Sequence, residues 1–327
     1  MQICLRPIYA IATYQLLLLF FAGFASGPLP AQDFPARPIT LIVPFAQGLA
    51  SDTAMRALAD ASAKHLGQPV VVRNAPGAEG ALGALELARA LKGDGYLLSQ
   101  MSTGVYRLPH LGKADFDPRS DFTWIIGITA FAYGVAVNAA SPWKTWSDFI
   151  AAAQAQPGKI TYAVSSLGGT FTGTMDSIAR KDQIEWKPVL FRDGAQSLQA
   201  LMSGNVDAWT SSTGWGDLIA TGKIRMLVSW GESRPTLWPE VPTLKELGYD
   251  LVVQGPYGIA GPRNMDPRVV KILHDAFQKG MSESAFRATI AKLGQEPWYR
   301  SSEDYARHSM ETYEAEGRRL SQSRIGK

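Results

Sequence analysis

The sequence predicts an α/β protein built from two domains, each a mostly parallel sheet flanked by helices. Three observations predict it. Short apolar runs rich in β-branched residues alternate with amphipathic helical segments, which is the signature of parallel strands joined by crossover helices. The alternation starts afresh after Phe122, so a second unit has a sheet of its own. No Gly/Ser-rich or Pro-rich linker separates the two, so strands crossing between domains are expected to join them. In such proteins ligands sit beyond the carboxyl ends of the strands, in the cleft between domains.

The elements follow in order. Ile39 to Val43 reads as a buried strand, Ser51 to Leu66 as a helix stopped by Gly67, and Val70 to Val72 as a second buried strand. Gly77 and Gly80 turn the chain into a helix from Ala81 to Leu91. Tyr96 to Leu98 is a third strand, running into the polar tip Ser99 to Gly104. The next block holds strands at Trp124 to Ile128 and Gly134 to Val137, then a helix from Trp146 to Gln154 closed by Pro157-Gly158. Ile160 to Val164 is a strand, followed by Ser165 to Thr170 and a helix with Phe171, Met175, Ile178 and Ala179 turned inward. Pro188 to Phe191, Val206 to Thr210 and Ile224 to Val228 are further strands, with a helix at Ala195 to Met202 stopped by Gly204. Asp266 to Gly280 and Ser282 to Leu293 are amphipathic helices. Ser301 and Asp304 form a capping box for a last helix running to about Ser321.

Residues 1–31 read as an export signal. Arg6 supplies a positive start, Leu16 to Ala25 an apolar run, and small residues offer cleavage after Gly27 or Ala31. The alternative is an uncleaved anchor, although the run is short for a membrane span. No later stretch has 18 apolar residues in a row. Just under 300 residues remain, enough to bury two cores. The only cysteine, Cys4, lies inside the signal, so the mature chain has no disulfide, thiol nucleophile or thiolate ligand. Removing the signal takes away Arg6 and no acid, leaving a net charge of +2. That near balance, without a basic run, gives nucleic-acid binding no support.

The most informative segment for chemistry is Pro38 to Asp52, ITLIVPFAQGLASD at its heart: strand, loop, then helix start. Unpaired N–H groups and the positive end of the helix dipole make such a junction a site for an anion. Asp52 there is a helix-start residue, with direct contact to a ligand amine as the alternative. The pair Gly168-Gly169, between a strand and a helix, reads either as a plain turn or as a second anion site. Trp209 and Trp215 bracket Thr210 to Thr213 and either stack on a ligand or pack in the core. The four histidines, at 65, 110, 274 and 308, lack metal-ligand spacing, and no P-loop, nucleophile elbow or dinucleotide fingerprint is present. No metal or cofactor is expected. A hydrolase using Ser165 or Ser166 is the rival reading, and it needs a histidine and an acid brought to that serine by the fold.

Several blocks in order carry a resemblance across nearly all of the mature chain: PARPITLIVPFAQG with SDTAMR, LGQPVVVRNAPGAEGALGA, GDGYLL, DFDPRSDFTWI, QPGKITYAVSSLGGT, FRDGAQSLQALMSGNVDA, TGKIRMLVSW, WPEVPTLKELGY and YGIAGP. On these the chain resembles the Bug-type solute-binding receptors of tripartite tricarboxylate transporters. The resemblance implies a two-domain periplasmic binding fold, with residues 32–135 and 250–327 in one lobe and 136–249 in the other. It implies a monomer that closes on a small carboxylate and hands it to membrane permease subunits, or in some members to a signalling partner. Enzymatic activity, cofactors, metals and nucleic acid have no place in it.

Carried over by position, the first lobe offers Phe45, Gly48, Leu49 and Asp52, with Ser102 and Thr103 at the third strand tip. The second offers Ser165, Ser166, Gly168, Gly169 and Thr170, then Arg192 and Gly194, and Asp207 at a strand edge. Arg192 either pairs a ligand carboxylate or bridges to Asp193. The chain departs from the family pattern at Leu49, where a second glycine is usual, and at Phe191 and Asp193, where a hydroxyl is lost and a charge gained. Phe171 to Gly173 replace a usual histidine, and Tyr257-Gly258 replace a tryptophan-glycine pair. A less anionic or more apolar ligand is therefore expected.

Overall fold

The computed structural model describes residues 34–164, 169–191, 194–212 and 215–322, without the side chains of Trp215 and Gln322. The expected signal lies outside them. Residues up to Ala36 form a unit of their own, and everything below concerns Arg37 onward. Among the described residues no helix is long and apolar enough to cross a membrane.

The chain opens with β1 (Ile39–Val43), α1 (Ala50–Leu66) and β2 (Val70–Asn74). Gly67 ends α1 in the left-handed conformation, φ 69°, with its N–H bonded to the Ala63 carbonyl. A tight turn at Ala78–Gly80 leads into α2 (Leu82–Arg89), then β3 (Leu97–Met101) and α3 (Thr103–Arg107). The expected polar tip is therefore strand to Met101 and helix from Thr103. Next come β4 (Phe122–Phe131), β5 (Gly134–Asn138), α4 (Trp146–Ala155) and β6 (Thr161–Val164). Thr145 caps α4 in a reciprocal box with Asp148. Then follow α5 (Thr170–Asp182), β7 (Lys187–Leu190), α6 (Gly194–Met202), β8 (Ala208–Ser211), α7 (Trp215–Ala220) and β9 (Ile224–Ser229). The chain ends with β10 (Gly255–Pro262), α8 (Pro267–Ser282), α9 (Ser284–Lys292), β11 (Gln295–Arg300) and α10 (Ser302–Gln322).

Two sheets result. The first has the order β11-β4-β10-β3-β1-β2, the second β7-β6-β8-β5-β9. Both are mixed rather than mostly parallel. β1 pairs in parallel with β2 and β3, and β6 with β7 and β8, as the βαβ pattern requires. β10 inserts antiparallel between β3 and β4, and β5 lies antiparallel between β8 and β9. β2 is an edge strand, so Val71, expected to be buried, is half exposed.

Each sheet is covered by helices. Met101, Trp124 and Tyr305 form one apolar layer on the first sheet, and α1 and α8 cover its other face, where Gly280 lets the two helices close on Ser62. The second sheet has a layer around Tyr162, Phe149, Trp186 and Trp230, and another around Trp209, Leu201 and Met226. The chain crosses from one sheet to the other twice, between Phe131 and Gly134 and between Ser229 and Gly255. The crossings are tied together: Trp230 N–H donates to the Tyr133 carbonyl at 2.9 Å, and Val253 N–H to the Trp230 carbonyl at 2.7 Å.

Gly258 in β10 shows how tightly the first sheet is built. A Cβ there would lie 2.1 Å from the Ile126 carbonyl oxygen and 2.7 Å from the Tyr305 ring, and neither backbone nor buried ring can yield cheaply. Gly258→Ala is expected to cost about 1–3 kcal/mol, read as a lower urea midpoint with an unchanged slope. An unchanged midpoint would show that the strand pair has slack.

Candidate functional site

A cavity of about 300 Å³ opens where the carboxyl ends of β1, β3 and β8 meet the first crossing and the start of β10. The β1–α1 loop supplies Phe45, Leu49, Ala50 and Ser51. The tip of β3 supplies Ser102 and Thr103, and the turn before α2 supplies Glu79. Phe131 and Tyr133 come from the crossing, Ser212 from the end of β8, and Gly255 to Tyr257 from β10.

The first-turn N–H groups of α1, at Ala50 and Ser51, have no carbonyl within the helix to bond, and both residues line the cavity. Their position is fixed by Asp52, which is buried at 2% exposure and does not reach the cavity wall. Its Oδ2 accepts the Gly48 N–H at 2.8 Å, and its Oδ1 accepts Asn74 Nδ2 at 2.8 Å and Arg56 Nε at 3.0 Å. Asn74 Nδ2 also donates to the Phe45 carbonyl, and Arg56 to Asn74 Oδ1. Burial pushes the Asp52 carboxyl up. The Gly48, Asn74 and Arg56 hydrogen bonds and the Arg56 charge outweigh it and hold the group below the usual carboxylate range. Asp52 is thus the anchor of the loop, its oxygens committed to Gly48, Asn74 and Arg56 and its side chain outside the cavity lining.

Gly48, with φ 84°, takes a conformation that suits glycine and brings its N–H to Asp52. Leu49, at the usual glycine position, stays extended and leaves its side chain 52% exposed at the mouth. Across the cavity, Ser102 donates to the Gly80 carbonyl at 2.9 Å, so its proton holds the turn and only its lone pairs face outward. Gly80 has φ +85°, and a Cβ there would strike Ser102 Oγ at 2.4 Å and Phe45 Cζ at 2.7 Å. Glu79 is ion-paired with Arg107 on α3. Burial raises the Tyr133 hydroxyl to about 12, against a hydrogen bond with Thr103 that lowers it.

The sequence-predicted residues divide. Phe45, Leu49, Ser102 and Thr103 meet at the cavity. Gly169 and Thr170 start α5 and do not line the cavity, yet the next residue, Phe171, stands edge-on to Tyr133 at 5.3 Å between centroids. Gly194 starts α6, where its carbonyl accepts Ser197 Oγ at 2.9 Å. Asp207 lies at the other end of the second sheet: its Oδ2 accepts both Thr161 N–H and Oγ1 at 2.8 Å, tying the start of β8 to the start of β6. It is a strand-end clamp, remote from the cavity. Trp209 is in the core at 3% exposure. Ser165, Ser166, Gly168 and Arg192 lie outside the described residues. Among the described residues no cluster of His, Cys, Asp or Glu suits a metal ion.

Sequence reasoning missed Phe131, Tyr133 and Pro256, whereas Ala50 and Ser51 belong to the strand–loop–helix junction that it singled out for its free N–H groups. An aromatic at each side of the break between two apolar strands, where the chain changes sheet, was the available signal for the first two.

The model of the tripartite tricarboxylate transporter family receptor matches residues 54–324. The chain belongs to that family. A UPF0065 protein from the gbd 5′ region of Cupriavidus necator is 40% identical over 296 residues, covering 90% of each chain. A solute-binding protein of the same family from Polaromonas superposes with a TM-score of 0.76 at 27% identity, covering 89% of this chain and all of that one. MatC from Rhodopseudomonas palustris, with bound malate, gives 0.70 at 26% identity over 87% of this chain and 99% of its own. A second R. palustris protein, with adipate, gives 0.73 at 26% over 89% and 97%. These receptors are periplasmic binding proteins rather than enzymes, and this chain is a receptor of the same two-sheet α/β fold.

The receptor's loop anchor has a measurable cost. Asp52→Ala removes charge-assisted hydrogen bonds worth about 1.5–3 kcal/mol and is expected to destabilise the chain by that order. Because the folded carboxyl titrates low, its contribution is full above the unfolded value and fades as pH falls through the carboxylate range. Melting curves of wild type and variant should therefore converge toward acid pH. A gap that stays constant from neutral to acid pH would refute the anchor.

Proposed function

We propose that this receptor captures a small organic acid in the cavity between its sheets and delivers it to the permease subunits of a tripartite tricarboxylate-type transporter. The observation that carries this is the convergence on one cavity of the first turn of α1 and the Thr103 hydroxyl. A carboxylate there meets two N–H donors and the positive end of a 17-residue helix dipole. The malate and adipate carried by two related receptors support a carboxylate as the ligand class.

In this reading residues 32–135 with 250–327, and residues 136–249, act as two lobes. The paired crossings around Tyr133 and Trp230 serve as the hinge, and ligand contacts from both lobes favour the closed state. The chain works as a monomer in the periplasm after residues 1–31 are removed.

Thermal denaturation of the mature chain against mono-, di- and tricarboxylates tests the proposal. A true ligand at 100 times its dissociation constant stabilises by about 2.7 kcal/mol, a shift of a few degrees for a chain of this size. Thr103→Ala, which removes one donor to a charged group, is expected to weaken that ligand about tenfold with an unchanged circular dichroism spectrum. Binding of the same acid with equal strength by Thr103→Ala would remove the carboxylate from this position.

A further inference from the structure

The two proposed lobes also touch away from the cavity. Glu296 in β11 accepts two hydrogen bonds from one residue of the other lobe. The Thr236 N–H donates to Oε1 at 2.9 Å, and the Thr236 hydroxyl to Oε2 at 2.7 Å. The same corner of the chain presses on α7: a Cβ on Gly216 would lie 2.7 Å from the Lys292 carbonyl oxygen at the end of α9.

Each end of the Thr236–Glu296 contact is built into its own sheet. Thr236 stands in a turn between β9 and β10, where the Trp238 N–H donates to the Pro235 carbonyl at 3.1 Å. Trp238 is buried with Trp209 and Met226 in the layer on which Leu218 and Ile219 of α7 also pack. Arg234 Nε holds both Glu246 oxygens, at 3.0 and 2.9 Å, and its Nη1 donates to the Pro239 carbonyl at 2.9 Å. On the other side, Glu296 pairs with Ala130 of β4, and its carbonyl accepts the Thr129 hydroxyl at 2.6 Å. Neither end can follow the other when the lobes rotate, so the contact must part.

Its position gives the sign. In the first sheet β4 and β10 carry the crossings, with β3 and β1 on one side of them and β11 on the other. The cavity extends from the crossings toward the ends of β3 and β1. Glu296 stands at the same, lobe-facing end of the sheet, since Gln295 pairs with Phe131, but beyond β4. A rigid rotation about the crossings that narrows one side widens the other. We infer that the Thr236–Glu296 contact is a latch that opposes closure: it holds the lobes apart in the ligand-free receptor and parts when the cavity closes on a ligand. This rests on the two-lobe reading above. Affinity is then set in part by residues that never touch the ligand, because a ligand that needs the closed state gives up the latch to reach it.

The test measures a distance across the cleft by pulsed electron–electron resonance. The mature chain has no cysteine, so Pro76→Cys and Leu190→Cys place two spin labels on it. Both positions are exposed, at the carboxyl ends of β2 and β7, the strands of the two sheets that lie outermost on the cavity side of the crossings. In the ligand-free chain Glu296→Ala should raise the share of short over long distances about three- to tenfold, the effect of losing exposed hydrogen bonds to a charge. Thr236→Ala should act in the same direction and less, because its N–H remains. The double variant should match Glu296→Ala alone, with circular dichroism unchanged throughout. Malate, adipate and citrate are then added in turn. An acid that shortens the distance should bind the Glu296→Ala chain about three- to tenfold more tightly than the parent. A shift to longer distances in Glu296→Ala would overturn the latch, since the contact would then favour closure. Distances that shorten with an acid and ignore both variants would overturn the latch and leave the two-lobe receptor standing. One distance, unchanged by every variant and every acid, would overturn both.

Discussion

The buried Asp52 carboxylate is the constraint on which the site depends. Four separate pieces of chain meet at its two oxygens or at the partners bonded to them: the end of β1 through the Phe45 carbonyl, the loop at Gly48, the first turns of α1 at Arg56, and the end of β2 at Asn74. A loop between a strand and a helix is ordinarily among the more mobile parts of a fold. Here the network fixes the angle at which α1 leaves β1, and with it the direction of the N–H groups at Ala50 and Ser51. Preorganised donors cost no ordering when the ligand arrives. The fixed loop also presses Phe45 against Gly80 and Ser102, so the tip of β3 and the turn before α2 inherit the same placement.

The parts of the fold that local pattern determines were legible in the sequence. Glycine stops at Gly67 and Gly204, the Ser301–Asp304 box and the strand-helix alternation of the first ~100 residues all follow from chemistry within a few positions. What pattern did not reveal is the pairing of residues far apart in sequence. The block YGIAGP was read as a motif and not as β10, because glycines at 255, 258 and 261 and two prolines argue against a strand. The structure resolves the conflict: Gly255, Gly258 and Gly261 sit where Tyr133, Tyr305 and Met265 press close, so packing from three other segments demands the glycines. β11 was hidden for a similar reason, since QEPWYR has little alternation and carries a proline on an edge strand. Inserting β10 antiparallel is what turns an expected parallel sheet into a mixed one.

The site divided along the same line. Loop residues adjacent to a strand end, Phe45, Leu49, Ser102 and Thr103, were legible because the carboxyl end of a parallel strand is where a cleft forms. Asp207 misled, since a strand-edge acid looks alike at either end of a strand, and only the β6–β8 register puts it with Thr161 at the far end. Phe131 and Tyr133 needed knowledge that the chain changes sheet between them, which the apolar run from Trp124 to Val137 does not display.

The electrostatics of the cavity follow from two acids being cancelled at source. Asp52 stands in the first turn of α1, and Glu79 stands on the wall; left unpaired, both would oppose an anion. Each has its own arginine, Arg56 four residues along the helix and Arg107 across the turn. The pairs are close, and an ion pair seen from a distance is nearly neutral because the opposed charges cancel faster than either field decays. What remains at the cavity among the described residues is the field of the helix dipole and the hydroxyls of Ser51, Thr103 and Ser212. That contribution is positive at the end of the cavity formed by the start of α1. An anion is favoured there because the two nearest acids are already neutralised by their own arginines and do not oppose it.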